Sequence, residues 1–387
     1  MSGSAGVAAA GVAAVWAAVP EARIVGGAVR DRLVGRPGAD VDFASPLTPD
    51  EVMARLRAAG VKAVPTGLAH GTVTAVVAGR GFEITTLRRD IETDGRHAVV
   101  EFTDDWEADA ARRDFTINAM SMTRDGAVFD YFGGQADLAA GVVRFVGAAD
   151  LRIAEDYLRI LRFFRFFARY GGVPDAAAVA AIEAGRDGIL ALSVERVWRE
   201  VKRVLAADDP GAALALMEQT GVLALAVPEA GSRDGVDTLL ARRAPVDPLL
   251  RVAALLGGRI EGFAPRLKLS TAEFEHLLAI SAPNGLVPAA DDADLRRALA
   301  DAPADVLIAR SWLGQDDGPG WAALRTRICS MERPVFPLQG RDLIGLGMPA
   351  GPRLGKVLAA VRRWWLAGGC VADHAACRDQ AMLAVVK

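Results

Sequence analysis

Over the first 145 residues the apolar positions come in short runs with a period near two: ARIVGG, ADVDFAS, GTVTAVVAG, GFEITTLRR, AVFDYF and, just at the end, VVRFVG. Helical stretches such as DEVMARLRAAG alternate with them, which predicts an α+β domain. From about residue 150 the period becomes that of amphipathic helices, in AEDYLRILRFFRFFARYG, VERVWREVKRVLAA, GAALALMEQTGVLALAV and TAEFEHLLAIS, with Gly, Pro and Asp between them. The rest of the chain is therefore expected to be all helix, without an internal repeat. The loops around Gly231 to Asp234 and Asp316 to Gly320 are natural joints between helical parts. The alanine-rich stretch from Ala5 to Val19 is shorter than a membrane span and has no basic segment ahead of it, so it is read as a packing or surface helix.

Composition narrows the class. With 387 residues, 52% of them hydrophobic, the chain has material for a large core and for two or more domains, which excludes a disordered or fibrous protein. The formal net charge is only −3, so any grip on nucleic acid must come from a local basic surface. Three cysteines, Cys329, Cys370 and Cys377, fit a reducing cytoplasm better than a disulfide framework. Cys370, His374 and Cys377 match no standard zinc spacing and are read as buried thiols in a helical tail.

The region richest in chemistry is IVGGAVRDRLVGRPGADVDFA, where an apolar strand meets Gly26-Gly27, then a helix carrying Arg30, then Asp40 and Asp42. Strand period two puts the two aspartates on one face, where a divalent cation would relieve their repulsion. Two glycines before a helix let backbone N–H groups approach a triphosphate, with Arg30 adding charge-assisted hydrogen bonds. Taken singly, a DxD and a GG turn also describe a solvated strand end and a simple bend. Glu83, in GFEITTLRR, is either a third acidic group or an exposed strand-face glutamate, and is not counted as a site residue.

Two further segments follow. In ARRDFTINAM, Arg112, Arg113 and Asp114 precede an amphipathic stretch containing Asn118; the arginines suit phosphate oxygens, and Asp114 either orients an arginine or caps the helix. An ion-pair cluster at a helix start is the alternative. AEDYLRILRFFRFFARYG reads as one helix on which Asp156, Arg159, Arg162 and Arg165, at steps of three, form a slanted polar stripe. Either these arginines meet phosphate or they form buried ion pairs linking domains. A carboxylate accepting from an exocyclic amino group, beside a guanidinium donating to a ring nitrogen, admits cytosine and adenine and leaves uracil and guanine with unpaired groups. Asp156 with Arg159 would supply that pair.

GGAVRD, DVD, RRDFTINAM, EDYLRILRFFRF and SVERVWREV, in this order over about residues 22 to 205, closely resemble the class II CCA-adding tRNA nucleotidyltransferases and their bacterial poly(A) polymerase relatives, within the polymerase-β nucleotidyltransferase superfamily. The resemblance implies an N-terminal helix (1–21), a catalytic head with a mixed sheet (22–147), and all-α neck (148–207), body (208–318) and tail (319–387). It implies that Asp40 and Asp42 are catalytic and bind two Mg²⁺ ions, and that Gly27, Arg30 and Arg113 contact the nucleotide's phosphates and sugar. Asp156 and Arg159 would read the base edge, with Arg162 and Arg165 completing the pocket and Glu195, Arg196 and Glu200 bracing it from behind. The implied partners are the tRNA 3′ end, CTP and ATP, with no membrane and no protein partner, in the cytoplasm.

TLRRDIETDGRHAVVEFTDDWEADA is similar to the family's flexible loop for switching from C to A, which argues against a CC-only enzyme; the Arg96 and His97 departures from the commoner pattern carry no interpretation. LQGRDLIGLGMPAGPRLGKVLAAVRRWW resembles the tRNA-gripping tail, with Gly351-Pro352, Arg353, Lys356, Arg362 and Arg363 toward backbone phosphate; an ordinary basic helix closing the fold is the alternative. No HD-type hydrolase motif is present. A poly(A) polymerase or A-only enzyme on the same scaffold ranks below CCA addition, because the chain is slightly acidic. A non-catalytic RNA-binding protein is disfavoured by the intact aspartates, and a small-molecule transferase by the long helical half.

Overall fold

The computed structural model describes residues 2–36, 41–68, 71–93, 98–314 and 318–385. They form two compact units, Met1–Pro228 and Glu229–Lys387. The first opens with helix α1 (Ser2–Ala18), whose Val15, Trp16 and Ala18 are buried; Trp16 packs edge-on against Phe43. Strand β1 (Arg23–Val25), helix α2 (Gly27–Leu33), strand β2 (Phe43–Ser45) and helix α3 (Pro49–Ala58) follow. Proline at the first turn of α3 and a reciprocal Thr48–Glu51 capping box define where that helix starts.

Strands β3 (Lys62–Gly67), β4 (Thr72–Val77) and β5 (Arg80–Thr86) form an antiparallel meander. A separate antiparallel ribbon joins β6 (Arg88–Thr93) to β7 (Ala98–Phe102), with an irregularity between Asp90 and Glu92. This ribbon is the segment that resembles the switching loop; Arg96 and His97 lie outside the described residues. Helix α4 (Trp106–Ala111) leads to β8 (Ser121–Met122) and β9 (Val128–Phe129). The main sheet has seven strands in the order β3-β4-β5-β2-β1-β8-β9. β2 runs parallel to β5 and antiparallel to β1, so the sheet is mixed, as expected.

Beyond the sheet come α5 (Gly134–Ala140), a short parallel pair β10 (Val142–Val143) and β11 (Val173–Pro174), and helices α6 (Ala149–Glu155), α7 (Leu158–Tyr170), α8 (Ala176–Gly185) and α9 (Val194–Leu205). Seven apolar residues of α7 are buried: Leu158, Ile160, Leu161, Phe163, Phe164, Phe166 and Phe167. Phe163 lies near-parallel to Phe145 at 6.1 Å and to Phe167 at 5.9 Å, and Phe115 meets Phe145 at 4.8 Å and Phe166 at 5.3 Å. This aromatic core fixes α7 against the segment that carries Asp114.

The second unit is helical throughout its named elements, from Asp234–Ala241 to His374–Val385. Cys370 and Cys377 are buried with Leu343, Val361 and Trp365, and burial pushes both thiols above their ordinary value, as suits packing residues. No helix of the described residues is long and apolar enough to cross a membrane.

Candidate active site

The turn between β1 and α2 depends on glycine. Gly26 has φ +63°, its N–H donates to Met120 O at 3.2 Å, and a Cβ there would lie 2.9 Å from Arg113 Nη1. Arg113 is itself held by Asp109 Oδ2 at 3.3 Å and by Asn118 O at 3.5 Å. Burial raises the Asp109 carboxyl, but Arg112 and Arg113 outweigh it and hold the group below its ordinary value. The N–H of Arg88 also donates to Asp109, at 3.3 Å, so one buried carboxylate holds three arginines from two segments at the mouth of the turn. Gly26→Ala is expected to strain this turn and push Arg113 aside, costing about 1–3 kcal/mol and raising KM for the nucleotide; a thermal melt with a KM determination on the same sample checks both.

Beside the turn, Phe43 pairs with Ile84 and Ala44 with Thr85 across parallel β2 and β5. Continuing that register by one brings Asp42 alongside Glu83. Both are exposed, and both line a small pocket of about 210 Å³ together with Gly26, Gly27, Arg88, Arg112 and Arg113. Glu83, left out of the expected site, thus shares a pocket with an expected catalytic aspartate; the period of β5, with Phe82, Ile84 and Thr86 buried, was the signal that Glu83 faces away from the core. Asp40 lies outside the described residues.

The pocket opens into a larger cleft of about 1410 Å³. Gly27, Arg30, Asp42 and Arg113 line it from the sheet side, and Asp156, Arg159, Arg162 and Arg165 from the helical side. Every expected site residue among the described ones faces this one cleft. Arg36, Arg169, Arg196 and Arg203 line it too, so its charge is strongly positive although the whole chain is slightly acidic.

The helical wall differs from the continuous helix that the periodicity predicts. Asp156 is extended (φ −159°, ψ 106°) and separates α6 from α7. Its Oδ1 accepts from Leu158 N at 3.0 Å, which starts the next helix, and its Oδ2 accepts from Arg196 Nη2 at 2.7 Å. The Tyr157 ring fills the space over Gly188, where a Cβ would come within 2.0 Å of it. The polar stripe on α7 therefore begins at Arg159, whose Nη1 donates to Arg152 O at 2.9 Å and pairs with Glu155. Asp156 and Arg159 remain neighbours through the Arg159 N–H to Asp156 O bond of 2.9 Å.

The two deeper arginines are ion-paired. Arg162 gives Nε and Nη2 to Asp114 Oδ2, while Asp114 Oδ1 accepts from Phe115 N at 2.9 Å and Asn118 Nδ2 at 3.0 Å. Burial pushes the Asp114 carboxyl up, but Arg162 and the Asn118 amide more than reverse this and hold it low. Arg165 pairs with buried Glu200 at 3.2 Å, and burial lowers its pKa to about 10 against the opposing pull of Glu200. Asp114 thus orients an arginine, and Arg196 and Glu200 of α9 reach the back of the wall, so the ion-pair reading and the nucleotide-pocket reading of α7 describe the same side chains.

Comparison with known proteins shows the family. A family profile described as "Poly A polymerase head domain" matches residues 22–144, and one described as "Probable RNA and SrmB- binding site of polymerase A" matches residues 174–232. The chain is 38% identical over 365 residues to the Danio rerio protein named CCA tRNA nucleotidyltransferase 1, mitochondrial, covering 89% of this chain and 83% of the relative. The chain belongs to the CCA-adding tRNA nucleotidyltransferase family. It is also 32% identical over 363 residues to the CCA-adding enzyme of Geobacillus stearothermophilus, covering 89% of this chain and 88% of that protein. A crystal structure of the Bacillus stearothermophilus CCA-adding enzyme in complex with CTP superposes with a TM-score of 0.80 at 28% identity, over 100% of this chain and 98% of that one. Family membership makes the chain a nucleotidyltransferase, of a kind that normally uses a divalent metal.

Proposed function

We propose that this cleft receives CTP and ATP in turn and transfers their nucleotidyl groups to the 3′ hydroxyl of tRNA, building or repairing the CCA end without a template and releasing pyrophosphate. The single observation that carries the residue assignment is that the acidic pocket, the glycine turn and the Asp156–Arg165 wall line one continuous cleft. Asp40 and Asp42 would hold two Mg²⁺ ions, with Glu83 beside Asp42. Asp42 and Glu83, exposed in this pocket beside Arg88, Arg112 and Arg113, are the hard oxygen donors such ions require. Bound there, Mg²⁺ supplies charge neutralisation at the attacking and leaving oxygens.

The chain's own groups do the rest. The N–H groups at the start of α2, with Arg113, would lie against the triphosphate, and Arg30, though already paired, borders the same space. Arg196 and Leu158 N hold the Asp156 side chain in place, so its carboxylate would accept from the exocyclic amino group of C or A, while Arg159 donates to the ring nitrogen. Uracil and guanine would present a carbonyl to the carboxylate, so that the base contact is not made and oxygen faces oxygen. Arg159→Ala is expected to cut the preference for CTP over UTP by about 10–100-fold, measured as the ratio of kcat/KM values on a tRNA ending at the discriminator base. An unchanged ratio would remove the base-reading role.

The exposed basic residues Arg353, Lys356 and Arg363 of the helix Pro352–Ala367 are proposed to meet tRNA phosphate. We place the enzyme in the cytoplasm on its unpaired cysteines; the Danio rerio relative is mitochondrial by name.

A further inference from the structure

The contacts of Arg30 close into a circuit. From Nη1 it donates to Asn118 Oδ1 at 2.5 Å, and Asn118 donates from Nδ2 to Asp114 Oδ1 at 3.0 Å. Asp114 holds Arg162 of α7 through its other oxygen. On its second side Arg30 donates from Nε to Asp31 Oδ1 at 3.0 Å, and that same oxygen accepts from the Tyr170 hydroxyl at 2.5 Å. Arg162 and Tyr170 sit on one helix, about 12 Å apart along its axis. The circuit therefore fastens α7 to the glycine-turn helix α2 at two separated points.

Its Arg30–Asp31 end is shielded from water. The side chains of Arg30 and Asp31 are 8% and 13% exposed, and the Arg30 guanidinium lies over the Tyr170 ring at 4.4 Å and over Phe166 at 5.0 Å. Asp31 is not among the residues that line the cleft. The Tyr170 hydroxyl, although its ring borders the cleft, is committed to Asp31. A packed helix shifts as a unit, so loosening the Tyr170 end displaces the end that carries Arg159 and follows Asp156.

We propose that Asp31 and Tyr170 are positioning residues that set the distance between the phosphate side of the cleft at Arg30 and the base-reading side at Asp156 and Arg159, so that nucleotide choice depends on a contact remote from the base edge. The inference rests on the reading of the cleft given above. Geometry at a base-reading pair must hold within about half an ångström to discriminate, which makes this spacing a specificity determinant as well as a structural one.

The test is Tyr170→Phe, which keeps the ring and removes one hydrogen bond, with Asp31→Asn and the double variant beside it. Each full-length protein, with Mg²⁺ and a tRNA transcript ending at the discriminator base, is assayed for kcat and KM with CTP and with UTP, and its melting temperature is recorded. The expected result is a loss of about tenfold in the CTP-over-UTP ratio of kcat/KM for Tyr170→Phe, with the double variant losing less than the product of the two single losses. A lowered melting temperature with an unchanged ratio would overturn the inference and leave the circuit purely structural. Absence of any extension by the unsubstituted protein would remove both the inference and the reading of the cleft; normal extension with unaltered discrimination in the variants removes the inference alone.

Discussion

Replacing Asp42 with alanine is expected to reduce nucleotidyl transfer by roughly 10³-fold or more while leaving the fold intact. The side chain is exposed at the start of β2, and the packing of that strand comes from buried Phe43 and Ala44 on its C-terminal side. Surface substitutions of this kind change stability by about 0.5 kcal/mol or less, so the melting temperature should hardly move. The loss should lie in kcat, because the carboxylate acts through charge neutralisation in the transition state and the arginine-lined cleft still binds nucleotide. Steady-state extension of a tRNA transcript, with CTP affinity measured separately, tells the two apart. Near-normal kcat in this variant would remove Asp42 from the catalytic role.

Asp114→Ala should have the opposite character, with a large cost in stability first and lost activity as its consequence. Asp114 is 8% exposed and accepts four hydrogen bonds, so alanine leaves the buried Asn118 amide and the partly exposed Arg162 guanidinium without their acceptor. Removing one partner of a buried ion pair costs about 3–5 kcal/mol, which for a unit of this size is a fall on the order of 10 °C in melting temperature. The pH dependence has a definite sign. The folded carboxyl lies below its ordinary 3.8 because Arg162 and its hydrogen bonds outweigh burial, so its contribution is fully present above that value and is lost as pH falls through the folded pKa. Acid unfolding below about pH 4 should therefore be shallower in the variant than in the unsubstituted protein; identical acid limbs would contradict the assignment.

The main outline of the fold was legible from periodicity. The change from period two to helical spacing near residue 150 coincides with the passage from the sheet to α6, and the apolar face of α7 is the one its Phe and Leu positions predict. The break at Asp156 was not legible, because AEDYLRILRFF keeps helical spacing straight through it. The break is made by a side-chain bond from Asp156 to Leu158 N and by a Tyr157 ring seated on Gly188, which is more than thirty residues away.

Site residues were found where a motif kept them close together, as in Gly26-Gly27 with Arg30. Their partners were harder to see. The Arg162–Asp114 and Arg196–Asp156 pairs join residues 48 and 40 positions apart, and the packing of Phe163 and Phe166 around Phe115 helps bring the first of them together. Glu83 shows the same limit. Its alternation on β5 says which way it faces, but its neighbour across the sheet is set by the parallel register with β2, which no local pattern encodes.

The central claim, that this cleft builds the CCA end of tRNA, is tested most directly by extension of three tRNA transcripts ending at the discriminator base, at C and at CC, with Mg²⁺ and each nucleotide supplied singly and then CTP and ATP together. The account predicts that all three grow to one discrete product ending in CCA, with UTP and GTP ignored. Extension of the CC transcript alone, an open-ended A tail, or no extension would contradict it.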